Sequence, residues 1–174
     1  MANWVPVNPE AGIQPITFVP TTGTVNHPLG TRVRAYDSTT SGQGECEFIY
    51  LYGVGSNIVG AVVSWNPLTG ITTLLANTSD LALPLAVSMT ANTSTTTGSW
   101  YQVYGAAVIK KTAVKVSPGV KLYISGTTGR VMSTVATSKQ VLRMISANAA
   151  TVASATSTIT ALIVYPEAQP FGTT

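Results

Sequence analysis

The residues able to carry chemistry are few: one histidine, His27, one cysteine, Cys46, and six acids, of which only Glu45 and Glu47 stand two apart. That spacing on a strand puts both carboxylates on one face, as a paired general acid and base would need. No other acid is near them in sequence, so a solvated face or a contact with arginine accounts for the pair. His27 lies in Val-Asn-His-Pro-Leu-Gly, a turn-like context with no second histidine and no nearby acid, so no triad, zinc site or general base is nominated locally. Asp37 and Asp80 are far apart in the chain, and no Asp-x-Asp-x-Asp loop marks a calcium site. A single cysteine forms no internal disulfide, and Cys46, flanked by two glutamates that disfavour a thiolate, reads as buried and inert.

Gly53-Val54-Gly55-Ser56-Asn57-Ile58-Val59-Gly60 looks like a phosphate loop but has no Gly-Lys-Ser/Thr ending, and its glycines read as breaks between strands. Asn77-Thr78-Ser79 and Asn92-Thr93-Ser94 match glycosylation sequons, read here as loop residues. Trp100, Tyr101 and Tyr104 could stack on a sugar. Strict alternation along a strand sets Tyr101 opposite the other two, which favours core packing with one ring exposed. No catalytic residue, cofactor site or metal site is assigned on this reading, and an enzyme is not expected.

The elements that would position these residues are strands. Thr31–Tyr36 alternates, Asp37–Gly44 is a polar loop, and Glu45–Tyr52 is a strongly β-prone run. Ala61–Trp65 and Ile71–Leu75 flank an Asn66-Pro67-Leu68-Thr69-Gly70 turn. Leu81–Met89 carries Pro84 at an edge or bulge, and Thr90–Ser99 is a polar loop. Trp100–Ile109 is the longest aromatic and β-branched run, and Lys110–Val116 is expected to continue extended. Further strands are read at Val120–Ile124, Arg130–Val135, Lys139–Ile145 and Ser157–Tyr165, with Ala147–Ala155 the one place where a helical turn is allowed. Roughly ten short strands at turn-punctuated spacing predict an all-β single-domain sandwich or barrel, jelly-roll-like, over residues 23–174. Residues 1–22, with Pro6, Pro9, Pro15 and Pro20, read as an extended Pro-rich N-terminal arm made adhesive by Trp4, Val5, Ile13, Ile16 and Phe18. Such an arm either packs on its own domain or reaches a neighbour.

Composition narrows the function. Only 9% of the 174 residues are charged and 45% are hydrophobic, whereas an ordinary soluble domain carries roughly 25% charged residues. The chain therefore expects another protein against much of its surface. Arg32 and Arg34 against Glu10, Asp37, Glu45, Glu47 and Asp80 leave −3 before Lys110, and seven cations against Glu167 leave +6 from there on. These cations are dispersed among Val, Ile and Leu, so nucleic acid is not expected as a partner; they are read as facing outward from strands, where Lys discourages edge pairing. No run approaches the ~20 apolar residues of a membrane helix, and the N-terminus lacks the basic and apolar regions of a secretory signal, so synthesis in a cytosol is expected and a membrane is not.

One stretch carries a likeness. Tyr104-Gly105-Ala106-Ala107-Val108-Ile109-Lys110-Lys111-Thr112-Ala113 leads to the Ser117-Pro118-Gly119 turn. Lys121-Leu122-Tyr123-Ile124, a Gly126–Gly129 turn and Arg130-Val131 follow, and Thr158–Val164 ends near Pro166, Gln169, Pro170 and Phe171. This order resembles the head decoration, or cement, proteins of tailed bacteriophages over about 40% of the chain. The resemblance implies a structural virion protein on the outer capsid surface, homotrimeric, fastening the lattice of the major capsid protein by multivalent contact and needing no cofactor. On that reading Trp4, Val5, Ile13, Ile16 and Phe18 are the candidate capsid contacts, and Trp100, Tyr101 and Tyr104 the candidate subunit contacts. The alternatives are a phage tail or fibre component or a carbohydrate-binding β module.

Overall fold

The computed structural model describes residues 4–7, 13–38 and 44–170. Most of the expected Asp37–Gly44 loop, and Phe171, lie outside the described residues. Within them are eleven strands and no helix: β1 (Trp4–Pro6), β2 (Arg32–Asp37), β3 (Glu45–Tyr52), β4 (Val62–Trp65), β5 (Thr72–Leu74), β6 (Leu85–Ser88), β7 (Gly98–Lys110), β8 (Lys121–Ile124), β9 (Val131–Met132), β10 (Gln140–Ser146) and β11 (Thr158–Ala168). The chain is all-β, as its alternation and turn spacing predict.

The strands form one antiparallel sheet in the order β1-β2-β3-β7-β11-β10-β8-β9, with β6, β4 and β5 branching from β7. The branch exists because β7, at 13 residues, is long enough to hold different partners along its length. Its first half pairs with β3 (Tyr50↔Trp100, Ile49↔Tyr101) and with β6 (Val87↔Gln102), and its second half pairs with β11 from Val164↔Tyr104 to Thr158↔Lys110.

Burial changes at the same point. From Gly98 to Val103 every residue of β7 is buried; from Tyr104 onward exposed or half-exposed side chains alternate with buried ones. Phe48, Tyr50 and Trp100 join Ile16, Val33 and Cys46 on one side of β3 and β7, while Ile49, Leu51, Tyr101 and Val103 meet Val63 and Ala86 on the other. A third and larger cluster, with Ile109, Leu122, Ile124, Val141, Met144, Ile159 and Ile163, packs the inner side of the C-terminal half. Each of these large apolar side chains contributes about 1.5–3 kcal/mol on burial.

Several expectations are corrected. Lys110–Val116 does not continue extended: beyond Lys110 only isolated bridges remain, Lys111 to Val131 and Val116 to Val152. The cause is Lys111, which is fully buried rather than facing outward. Its ammonium donates to the carbonyls of Thr112 (3.2 Å), Val114 (2.8 Å) and Ser154 (3.3 Å), so the backbone curls around the charge. Burial pushes the Lys111 pKa down. Ala147–Ala155 makes no helical turn, because Val152 exchanges both backbone hydrogen bonds with Val116 (2.9 and 3.0 Å). Where described, the Pro-rich segment packs on its own domain: β1 pairs with β2, and Ile16 is 2% exposed.

Candidate interaction face

The second half of β7, with β11 and β10, has a buried inner side and an outer side that no other described element covers. Alternation along each strand brings out Tyr104 and Val108, Leu162 and Val164, and Ile145, all between 39% and 46% exposed. Register places them side by side, since Val164 is opposite Tyr104 and Ile145 is opposite Leu162. Covering such half-exposed side chains is worth on the order of 1 kcal/mol each.

A polar margin borders this face where β2, β3 and β11 meet. Glu47, 7% exposed, accepts from Arg32 Nη1 at 2.7 Å and from the Tyr165 hydroxyl at 2.9 Å, and lies 3.5 Å from Arg34 Nε. Burial alone would raise the Glu47 carboxyl, but the hydrogen bonds from Arg32 and Tyr165 and the charges of Arg32 and Arg34 outweigh it and hold the pKa below its ordinary value. The Tyr165 hydroxyl is pushed up by burial and by donating to that carboxylate. The Arg32 guanidinium stands 5.5 Å from the Tyr165 ring, whose centroid is 5.8 Å from that of Tyr104. Beyond Arg32 a groove of about 470 Å³ runs past Arg34, Glu45, Val7 and Ile13.

The expected contact residues divide sharply. Ile16 is corrected: it lies in the core of its own domain and cannot meet a capsid. Trp4 is half-buried with its ring against Phe48 (4.9 Å), Val5 pairs with Tyr36, and Ile13 is half-buried on the groove, which leaves Phe18 at 45% exposure. Trp100 and Tyr101 are likewise corrected as subunit contacts, being 1% and 0% exposed. Trp100 packs on Tyr50 (5.0 Å) and His27 (5.3 Å), and Tyr101 donates to the Tyr52 carbonyl (3.0 Å). Tyr104 is the exposed ring of the three. It does not share a side with Trp100, because Glu47 pairs with Tyr104 while Phe48 pairs with Gln102, leaving Val103 as an extra residue that turns Tyr104 to the side of Tyr101.

The remaining residues singled out by chemistry are engaged in packing and ion-pair contacts. His27 stacks edge-on against Tyr50 (5.0 Å), and its Nε2 accepts from the Gln14 N–H at 3.4 Å, a tie between the N-terminal segment and the sheet. Cys46 is fully buried, and burial above all raises its thiol to about 11. The pair Glu45 and Glu47 meets arginines: Arg34 at 3.4 Å from Glu45, and Arg32 on Glu47. Ile145, Leu162, Val164 and Tyr165 were not among the expected contacts. For Leu162, Val164 and Tyr165 the signal was present in Ala161-Leu162-Ile163-Val164-Tyr165, an apolar run on a strand that would alternate with polar residues if its second face were meant for water. Comparison of the chain with protein-family models, curated proteins and solved structures finds no match.

Proposed function

We propose that this chain is a structural, non-catalytic virion protein that decorates and stabilises the outside of a tailed-phage capsid, binding the lattice of the major capsid protein as a homotrimer. The observation that carries the reading is the uncovered apolar face of Tyr104, Val108, Ile145, Leu162 and Val164 on a chain with only 9% charged residues. A regular sheet face of this kind favours repeated burial against identical neighbours over transient encounters. In this arrangement the face joins subunits, and Phe18 and Val19, exposed at 45% and 46%, are left to meet the capsid. The likeness of the Trp100–Phe171 stretch to decoration proteins supports the virion assignment.

Two measurements test it. Sedimentation equilibrium of the purified protein is expected to give a trimer, and Leu162→Glu with Val164→Glu a folded monomer. Quantitative mass spectrometry of purified particles is expected to find a copy number near that of the major capsid protein. A few tens of copies would place the protein in the tail, and a wild-type monomer absent from particles would end the proposal. One observation favours a second reading, a carbohydrate-binding module: the half-exposed rings of Tyr104 and Tyr165 lie 5.8 Å apart and offer a stacking platform. Glycan binding lost in Tyr165→Ala, with the oligomer intact, would support it.

A further inference from the structure

A second, smaller pocket of about 130 Å³ opens where β2, β4, β6, β7, β10 and β11 converge. Two guanidiniums line it, Arg32 and Arg143, with one carboxylate, Glu167, while Trp65, Leu85 and Val103 supply apolar walls. Arg32 uses Nη1 on Glu47 and Arg143 uses Nη2 on Glu167, both at 2.7 Å. A guanidinium carries five N–H donors, so these single contacts leave donors on both arginines for a further acceptor. Their side chains are 47% and 51% exposed, within reach of a ligand.

Backbone strain points to the same place. The β10–β11 register shifts between Leu142 and Met144, and within that irregularity Arg143 and Tyr165 hold φ values of 58° and 49°, a region non-glycine residues rarely occupy. Both side chains line the pocket. A register irregularity that sets an arginine and a tyrosine, both at positive φ, on one cavity is costly unless the placement is used.

We propose that this pocket binds a carboxylate carried on a short apolar stem, with Arg32 and Arg143 taking the oxygens and Trp65, Leu85 and Val103 the hydrocarbon. At ~30 Å³ per water the volume is that of roughly four waters, which suits a small branched acid or a single side chain or chain terminus. The site adjoins the proposed subunit face through Arg32 and Tyr165, but carboxylate binding there does not depend on the assembly reading.

The test is a proton–nitrogen NMR titration of the full chain, following the Trp65 indole N–H and the arginine Nε–H signals. Isovalerate should shift them saturably with roughly millimolar affinity, as befits so small a ligand. Isovaleramide, of the same shape but uncharged, should bind at least about tenfold more weakly, and Arg143→Gln should reduce isovalerate binding to a similar degree. Acetyl-glycyl-leucine as free acid and as amide separates the sources: tighter binding of the peptide acid than of isovalerate assigns the site to a protein terminus, and the reverse to a free small acid. Either order supports the carboxylate site. Absence of a saturable shift, or equal binding of acid and amide by the unaltered protein, would overturn it whether or not Arg143→Gln folds.

Discussion

Gly105→Ala strikes the point where β7 passes from being buried on both sides to carrying the exposed face. Gly105 has φ 99°, and a Cβ there would collide with Cys46 Sγ and lie 3.0 Å from the Glu45 carbonyl oxygen and 3.2 Å from Cys46 Cα. Two costs combine: an alanine forced into positive φ, and overpacking against a neighbouring strand that is itself buried. Together they amount to roughly 2–5 kcal/mol. In a domain of this size that lowers Tm by roughly 5–15 °C. The assay is equilibrium urea denaturation followed by circular dichroism, run as a double-mutant cycle with Cys46→Ala. Removing the sulfur alone should cost about 1 kcal/mol, and the double variant should lose at least about 1 kcal/mol less than the two singles combined, because the collision with Sγ is gone while the backbone strain and the approach to Glu45 remain. Gly105→Ala within about 0.5 kcal/mol of the parent would refute the reasoning. Strict additivity in the cycle would place the cost in the backbone and remove Cys46 from the account.

Three further outcomes are expected. Ile16→Ala should destabilise the protein by about 2–4 kcal/mol and Phe18→Ala by under about 1 kcal/mol, measured by the same denaturation, since only Ile16 is enclosed by the core. Equal effects would deny that the N-terminal segment is an integral part of the domain. Lys111→Met should cost about 1–3 kcal/mol by stripping the carbonyls of Thr112, Val114 and Ser154 of a donor. Because the folded-state pKa of Lys111 lies below its ordinary 10.5, the unfolded chain holds that proton more tightly and the parent gains stability as pH rises through the window beneath that value. Well below 10.0, where Tyr50, Tyr101 and Tyr165 are protonated in both the folded and unfolded states, Lys111→Met should lack that contribution. Glu47 has the opposite sense: held below its ordinary 4.5, it contributes stability that is complete above 4.5 and lost as pH falls through its folded-state value. Denaturation midpoints of Glu47→Gln across that acid window should therefore fall less steeply than those of the parent, and parallel curves would contradict the Arg32–Glu47–Tyr165 arrangement.

Local chemistry by itself determined that this chain is built of strands. Runs of β-branched and aromatic residues broken by Gly, Pro and Asn place β3 at Glu45–Tyr52 and centre β7 on Trp100–Ile109, and Asn66-Pro67-Leu68-Thr69-Gly70 joins β4 to β5. These signals are local because turn geometry and strand propensity act over a few residues. The excess of apolar residues on β11 was equally legible as a demand for cover on a second face. Tertiary structure alone decided which side chains answer it. A period of two says that neighbours alternate, but one extra residue at Val103 reverses the sense, so Tyr104 faces with Tyr101 and away from Trp100. Ile16 and Phe18 are both apolar and two apart, yet one is enclosed and the other wet, because only the folded sheet defines what the N-terminal segment lies against. Lys111 reads as an ordinary surface cation until two carbonyls of its own following turn and one from the distant Ser154 close around it. The same holds for Arg32, Arg143 and Tyr165, which are remote in the chain and meet at one pocket only because strand register and the β10–β11 irregularity, set by non-local hydrogen bonds, carry them there.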